Sequence, residues 1–273
     1  MTAEKLVARG VKSVQLVMFI DALASSLGVS VLPYYVQTLG GTPSQFGALL
    51  STFASANIIA SLWIGSASDK FGRKPLLVLS LIGLSVGFSG CALTPSMGLL
   101  FVARAIIGFF AGVGSTGRAY VADICTKEER GKVIASLGGL MMFGYAAGPP
   151  IGAAICGVVS IFGLRAEEQQ RTPFFAGAFF SLVAVVIVSV QMPTVATIKA
   201  AKAADESAAA AVTTTAVAVK GTDDTEGGCR TFTSIGLLLL SSALAQAAVA
   251  GFLVVQPMFI KDMFGWGPPQ VHW

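Results

Sequence analysis

The chain has 273 residues, of which 54% are hydrophobic and only 12% charged, with a mean hydropathy of +0.77. That is too little polar residue to clothe a soluble globule of this length, so the solvent this sequence suits is a lipid bilayer. The net charge of +4 is small and the bases cluster between apolar runs without an aromatic platform, which sets a nucleic-acid partner aside.

A hydrocarbon core about 30 Å thick takes about 20 residues of helix. Runs of that length fall, in chain order, at 14–36, 46–64, 75–93, 97–119, 133–155, 174–192 and 233–255, so the fold class is an all-α membrane protein. The basic start, Met1 to Lys12, leads into the first run with no small-residue cleavage pattern, which predicts a retained helix and not a signal peptide. Short connectors make the first six helices antiparallel neighbours, a bundle over residues 1–193. From 194 to 230 the composition turns to Ala, Thr, Lys, Asp and Glu, which predicts a disordered linker. The Ala-rich part from Ala196 to Ala211 is compatible with an interfacial helix, but Thr213–Thr215 and Gly221 oppose a long one. Residues 231–273 read as a seventh helix and an external turn at Trp266-Gly-Pro-Pro, the start of a second half cut short.

Orientation follows from the bases. Lys5, Arg9, Lys12, Lys70, Arg73, Lys74, Lys127, Arg130, Lys132, Lys199, Lys202, Lys220 and Arg230 fall on one side, against Arg165, Arg171 and Lys261 on the other. The positive side is the cytoplasmic one, so a multi-pass protein with its amino terminus in the cytoplasm is expected. A seven-helix receptor would place that terminus outside. Cys91, Cys125, Cys156 and Cys229 lack C-x-x-C spacing and read as packing residues. No metal cluster, phosphate loop or placed nucleophile stands outside the helices, so neither a cofactor nor an enzyme is expected.

Three charged residues lie inside spans, Asp21, Arg104 and Arg118, and the first two are placed where they are costly enough to be functional candidates. Asp21 is the only acid within an apolar run, about a third of the way along the first. A carboxyl withdrawn from water can exchange a proton and couple it to a conformational change; the rival reading is a hydrated structural acid near the face. Arg104 lies in the fourth run and must find an acid, a carbonyl or water, either as part of the transport machinery or as a snorkelling side chain. Glycines recur at four-residue spacing at Gly83 and Gly87, Gly108 and Gly112, and Gly144, Gly148 and Gly152, which lets helix backbones approach. Pro149 and Pro150 remove two donors and are expected to interrupt the hydrogen-bond ladder of the fifth span.

Between the second and third spans stands G-S-A-S-D-K-F-G-R-K, from Gly65 to Lys74. Its charges would each cost about 2.5–3.5 kcal/mol in hydrocarbon, so a short loop at the membrane face is expected. The string resembles the loop signature G-x-x-x-D-[RK]-x-G-[RK]-[RK] of the major facilitator superfamily. After the fourth span, A-Y-V-A-D-I-C-T-K-E-E-R resembles that family's Y-[IV]-A-D-I-T-x-x-E-E-R segment, and Arg104 with Gly108 resembles its Arg-x-x-x-Gly motif. The run G-Y-A-A-G-P-P-I-G-A is similar to the antiporter signature G-x-x-x-G-P-x-x-G-G, with Ala153 in place of the last Gly. F-I-D-A-L-A-S-S-L-G-V-S-V-L-P resembles the first helix of drug:proton antiporters of the tetracycline-efflux type, although Gly87 stands where those exporters have a third-helix acid.

The resemblance implies two six-helix halves around a midplane site, the second half missing here, and proton-coupled export of small organic molecules by alternating access. Asp21 would carry the proton and Arg104 would regulate it. Gly65, Asp69, Lys70, Gly72, Arg73, Lys74, Arg118, Asp123 and Arg130 would form a cytoplasmic gate, Asp69 pairing with Arg118 or Arg130 and Arg73 with Asp123. The implied partners are the bilayer, protons and a small-molecule substrate. Symport, uniport and a non-transporting sensor or scaffold are the alternatives.

Overall fold

The structure is a computed structural model that describes residues 2–161, 163 and 166–213. The expected seventh helix and the turn at Trp266 lie outside them. The elements are α1 (Ala3–Thr38), α2 (Pro43–Phe71), α3 (Arg73–Leu93), α4 (Met97–Phe110), α5 (Val113–Ile124), α6 (Lys127–Ile161), α7 (Ala166–Gln191) and α8 (Val195–Thr213). Six stretches of the described residues are long and apolar enough to cross a membrane, with α4 and α5 together forming one of them.

Helix α1 lies against α6 and α7, α3 lies against α7 and α4, and α4 lies against α2. Glycine sets how near these helices come. Gly28 of α1 receives the rings of Phe88 and Phe174, which a Cβ would meet at 3.2 and 3.3 Å, so α1, α3 and α7 converge there. At one end of the bundle the Tyr35 hydroxyl donates to the Thr94 carbonyl at 2.7 Å, fixing α1 to the end of α3. The outer surface carries Ile58, Leu62, Val86, Phe143, Phe179 and Val190, all more than half exposed, as suits contact with lipid.

Four local features differ from the sequence pattern. Helix α1 starts at Ala3 and not near Val14, because its inner face continues through the basic segment. Ala3 and Gly10 are buried, and Gly10 sits under the Tyr120 hydroxyl at 2.6 Å from where a Cβ would be. Asp21 is therefore midway along its helix.

The expected ten-residue loop from Gly65 to Lys74 reduces to Gly72 alone, since α2 runs to Phe71 and α3 starts at Arg73. Gly72 has φ +91° and ψ +157°, a region that is essentially glycine's own, and this lets two helices join through one residue. The fourth span breaks at Ala111 and Gly112, where the Gly112 amide bonds the Phe110 carbonyl at 2.8 Å. Glycines at 108, 112 and 114 weaken helix propensity there.

The linker, expected to be disordered with an interfacial helix left open over its Ala-rich part, begins as α8. Its alanines favour helix, and it is anchored where the other helices end: Lys202 Nζ donates to the Ile124 carbonyl at 2.8 Å, and Asp205 Oδ2 accepts from the Ala3 amide at 3.0 Å.

Candidate functional site

The seam between α1 and α6 brings most of the singled-out residues together. Gly144, Gly148 and Gly152 lie on one face of α6, and each meets α1. A Cβ on Gly144 would be 2.9 Å from the Phe19 carbonyl and 3.0 Å from Ala22; on Gly148 it would collide with the Ser26 side chain; on Gly152 it would touch Leu27 and Ser30. The glycine face thus packs on the stretch of α1 that carries Asp21.

Pro149 and Pro150 do not interrupt α6, which is helical from Lys127 to Ile161. Pro149 has no N–H to offer the carbonyl four residues back, that of Tyr145. The Ser26 hydroxyl takes the vacant place, donating to the Tyr145 carbonyl at 2.7 Å. A neighbouring serine in this way satisfies a proline-freed carbonyl that lipid could not. Replacing Ser26 by Ala is expected to cost about 0.6–2 kcal/mol of stability in detergent. Among the described residues Ser30 bonds only its own helix, at the Ser26 and Leu27 carbonyls, so Ser30→Ala is the neutral comparison in the same melting measurement.

Asp21 lies on this seam with its Oδ1 atom buried and without a hydrogen-bond partner among the described residues. The charges of Asp21 and Arg118 both reach Tyr145. Arg104 lies elsewhere. It is 3% exposed and, among the described residues, Nε and Nη2 have no hydrogen-bond partner and Cys91 of α3 is the titratable group beside it. Here α3 and α4 touch closely, a Cβ on Gly87 falling 3.1 Å from the Ile107 amide nitrogen and one on Gly90 3.2 Å from Ala103. Asp21 and Arg104 are thus buried on different seams.

At the face where α1 begins, Arg73 is the centre of the charged group. Its Nε donates to Asp123 Oδ2 at 2.8 Å, the pairing the sequence predicts. Asp69 pairs differently from expectation: it bonds Arg73 Nη2 at 2.8 Å, with neither Arg118 nor Arg130 as its ion-pair partner. The one-residue join at Gly72 explains this, because it sets Asp69 and Arg73 four residues apart across two helix ends. Arg73 Nη1 also bonds the Ser68 hydroxyl, Arg130 Nη2 donates to the Ala122 carbonyl at 2.5 Å, and Lys74 Nζ donates to the Ser189 carbonyl at 2.9 Å. Lys70 and Gly65 are exposed, with open space beyond Gly65. Asp69 is 68% exposed, so its pair contributes about 0–1 kcal/mol; the half-buried Arg73–Asp123 contact is the stronger tie.

Sequence reasoning missed Ser26 and Tyr145. The signal for Ser26 was available, since a proline at 149 frees the carbonyl at 145 and requires a donor from a neighbouring helix.

Comparison with known proteins agrees with this architecture. The chain is 30% identical over 175 residues to the tetracycline resistance protein, class B, of Escherichia coli, covering 63% of this chain and 41% of that protein. It is 33% identical over 165 residues to the quinolone resistance protein NorA of Staphylococcus aureus, covering 59% of this chain and 39% of that one. The chain therefore matches about two-fifths of the length of these relatives. Among solved structures it is similar in fold to the xylose transporter XylE of E. coli in a partially occluded inward-open conformation (TM-score 0.61, 15% identity, 76% of this chain and 55% of that chain). It is also similar to the human organic anion transporter MFSD10 (TM-score 0.56, 22% identity, 69% and 48%). The family model described as Major Facilitator Superfamily matches residues 15–273, and the chain belongs to that family.

Proposed function

We propose that this chain forms the amino-terminal half of a secondary transporter that exports small, amphipathic organic molecules in exchange for protons. Its site lies near the bilayer midplane and opens alternately to the two sides, with a second bundle of six helices closing the cavity. The observation that carries the reading is Asp21: an acid midway along α1, its Oδ1 buried and without a partner among the described residues, on a seam built from glycines and an accommodated proline pair. An unpaired acid at that depth is retained against a cost, and proton exchange is the chemistry that uses it. The names of the resistance proteins to which the chain is similar favour export.

The gate lies at the face of Arg73, Asp69 and Asp123, which carries Lys5, Arg9, Lys12, Lys127 and Lys132 as well and is therefore cytoplasmic. Arg104, which cannot lose its charge, holds the field on the α3–α4 side of the cavity. The protein in liposomes is expected to move a lipophilic dye against its concentration gradient when a pH gradient is imposed, and to stop when a protonophore dissipates it. Movement only down the dye's own gradient and indifferent to the protonophore would replace antiport by uniport.

A further inference from the structure

The sequence places Arg118 within the fourth span and also makes it a candidate partner for Asp69 in the cytoplasmic gate, a pair the structure does not form. Arg118 lies on α5 six residues before Ile124, which is about 9 Å of helix inside that end. Helical side chains lean towards their own amino terminus, and because α5 runs from mid-membrane to the face, the lean takes the guanidinium inward. Its Nη2 atom lies 3.7 Å from the point a Cβ on Gly114 would occupy, one turn deeper, with the Met141 methyl 3.8 Å from the same point.

We infer that Arg118 is a specificity-determining residue that takes the carboxylate, or an acid group of like shape, of the transported molecule. Four observations meet there. Arg118 is exposed and its side chain forms no hydrogen bond or ion pair among the described residues, although the adjacent Gly117 is buried against Val14 and Met18 of α1. Arg118 therefore faces the open side shared by α1, α5 and α6. The amino terminus of α5, towards which it leans, has no side-chain cap, so the positive end of the helix adds to the arginine's charge instead of offsetting it. Gly114 keeps the intervening space free of a side chain. Tyr145 of α6 lies within reach of the charges of both Arg118 and Asp21.

An arginine cannot discharge itself, so this concentration of positive potential is relieved by an arriving anion, and the planar guanidinium fits a carboxylate with two parallel hydrogen bonds. Met141 offers an apolar surface for the body of the molecule. A substrate that also carries a basic group exchanges that group for the proton at Asp21 without changing the net charge of the site. The assignment to a transported molecule rests on the transport reading above; the binding preference itself does not.

The test is equilibrium binding of radiolabelled 1-naphthoate and 1-naphthamide to the protein in nanodiscs of neutral lipid, with empty nanodiscs subtracted. The two probes share shape and differ in charge. Naphthoate is expected to bind about tenfold or more tightly than naphthamide, as a charge-assisted bond implies. Arg118→Gln is expected to bring naphthoate down to the affinity of naphthamide and leave naphthamide unchanged. Arg118→Lys, which keeps the charge and loses the fork, should weaken naphthoate at least about threefold, and it carries the test should Arg118→Gln not fold. A wild-type protein without the preference, or a preference that survives both variants, overturns the inference. Loss of the preference in a protein that still shows proton-driven flux removes only this subsite; an intact preference without flux removes the transport reading and leaves the anion site standing.

Discussion

Flux driven by a pH gradient is expected to fall about 5- to 150-fold when Asp21 is replaced by Asn, the range of typical coupling free energies between two bound species. Exchange of labelled for unlabelled substrate with no gradient should persist. Asparagine keeps the volume of the acid and cannot release a proton, so it holds α1 in the form that protonated Asp21 would give. The carrier can then still turn over with substrate on both sides, whereas the step that returns it with a proton no longer senses pH. The split matters because a merely structural Asp21 would affect both measurements together. Gradient-driven flux that is unchanged in Asp21→Asn would take this residue out of the mechanism, and loss of both modes would make it a folding determinant.

The fold was legible because lipid imposes a simple rule: each span satisfies its backbone internally, so length and hydropathy alone locate the helices. The motifs were legible for a similar reason. The second glycine of the Gly65–Lys74 string stands at Gly72, where φ +91° excludes most other residues, and the Asp123–Arg73 contact joins the two recognised segments. What the pattern did not reveal are features decided by contact between helices. Hydropathy cannot show that Lys202 and Asp205 anchor α8 to the ends of α5 and α1, so composition left the linker's alanines open between a disordered segment and an interfacial helix. Nor can it show which partner a charge near the end of a span takes, so Arg118 could be read as a partner of Asp69, which pairs with Arg73 instead.

The two seams also divide the labour differently from the sequence reading. Asp21 and Arg104 look like a coupled pair when both are counted simply as charges inside spans. In the bundle, Arg104 shares the α3–α4 seam with Cys91, while Asp21 shares the α1–α6 seam with Tyr145. Coupling between them has packed routes among the described helices, α1 to α3 through α7 and α1 to α3 through α5, each continuing from α3 to α4. That makes the fit of the helix contacts part of the mechanism, and it turns attention to the tightest of them on the Asp21 side.

Gly148→Val is expected to be the most damaging single substitution on that side, lowering stability by about 1–3 kcal/mol or preventing assembly of the bundle, as overpacking a close contact does. The first added carbon would fall on the Ser26 side chain and 3.1 Å from the Ser26 carbonyl carbon, so a rotamer change at Ser26 gives only partial relief and the α1 backbone must retreat. Retreat would break the Ser26 bond to the Tyr145 carbonyl and leave unsatisfied the acceptor that Pro149 has already deprived of its helical partner. Gly138, on the same helix, has nothing within 4 Å of its Cβ position, so Gly138→Val should be neutral or gain a few tenths of a kcal/mol from helix propensity. Thermal melting of both variants in detergent, with the yield of folded protein, distinguishes the cases. Equal melting temperatures would mean that the seam tolerates separation, and that the four-residue glycine spacing of α6 serves some purpose other than close packing on α1.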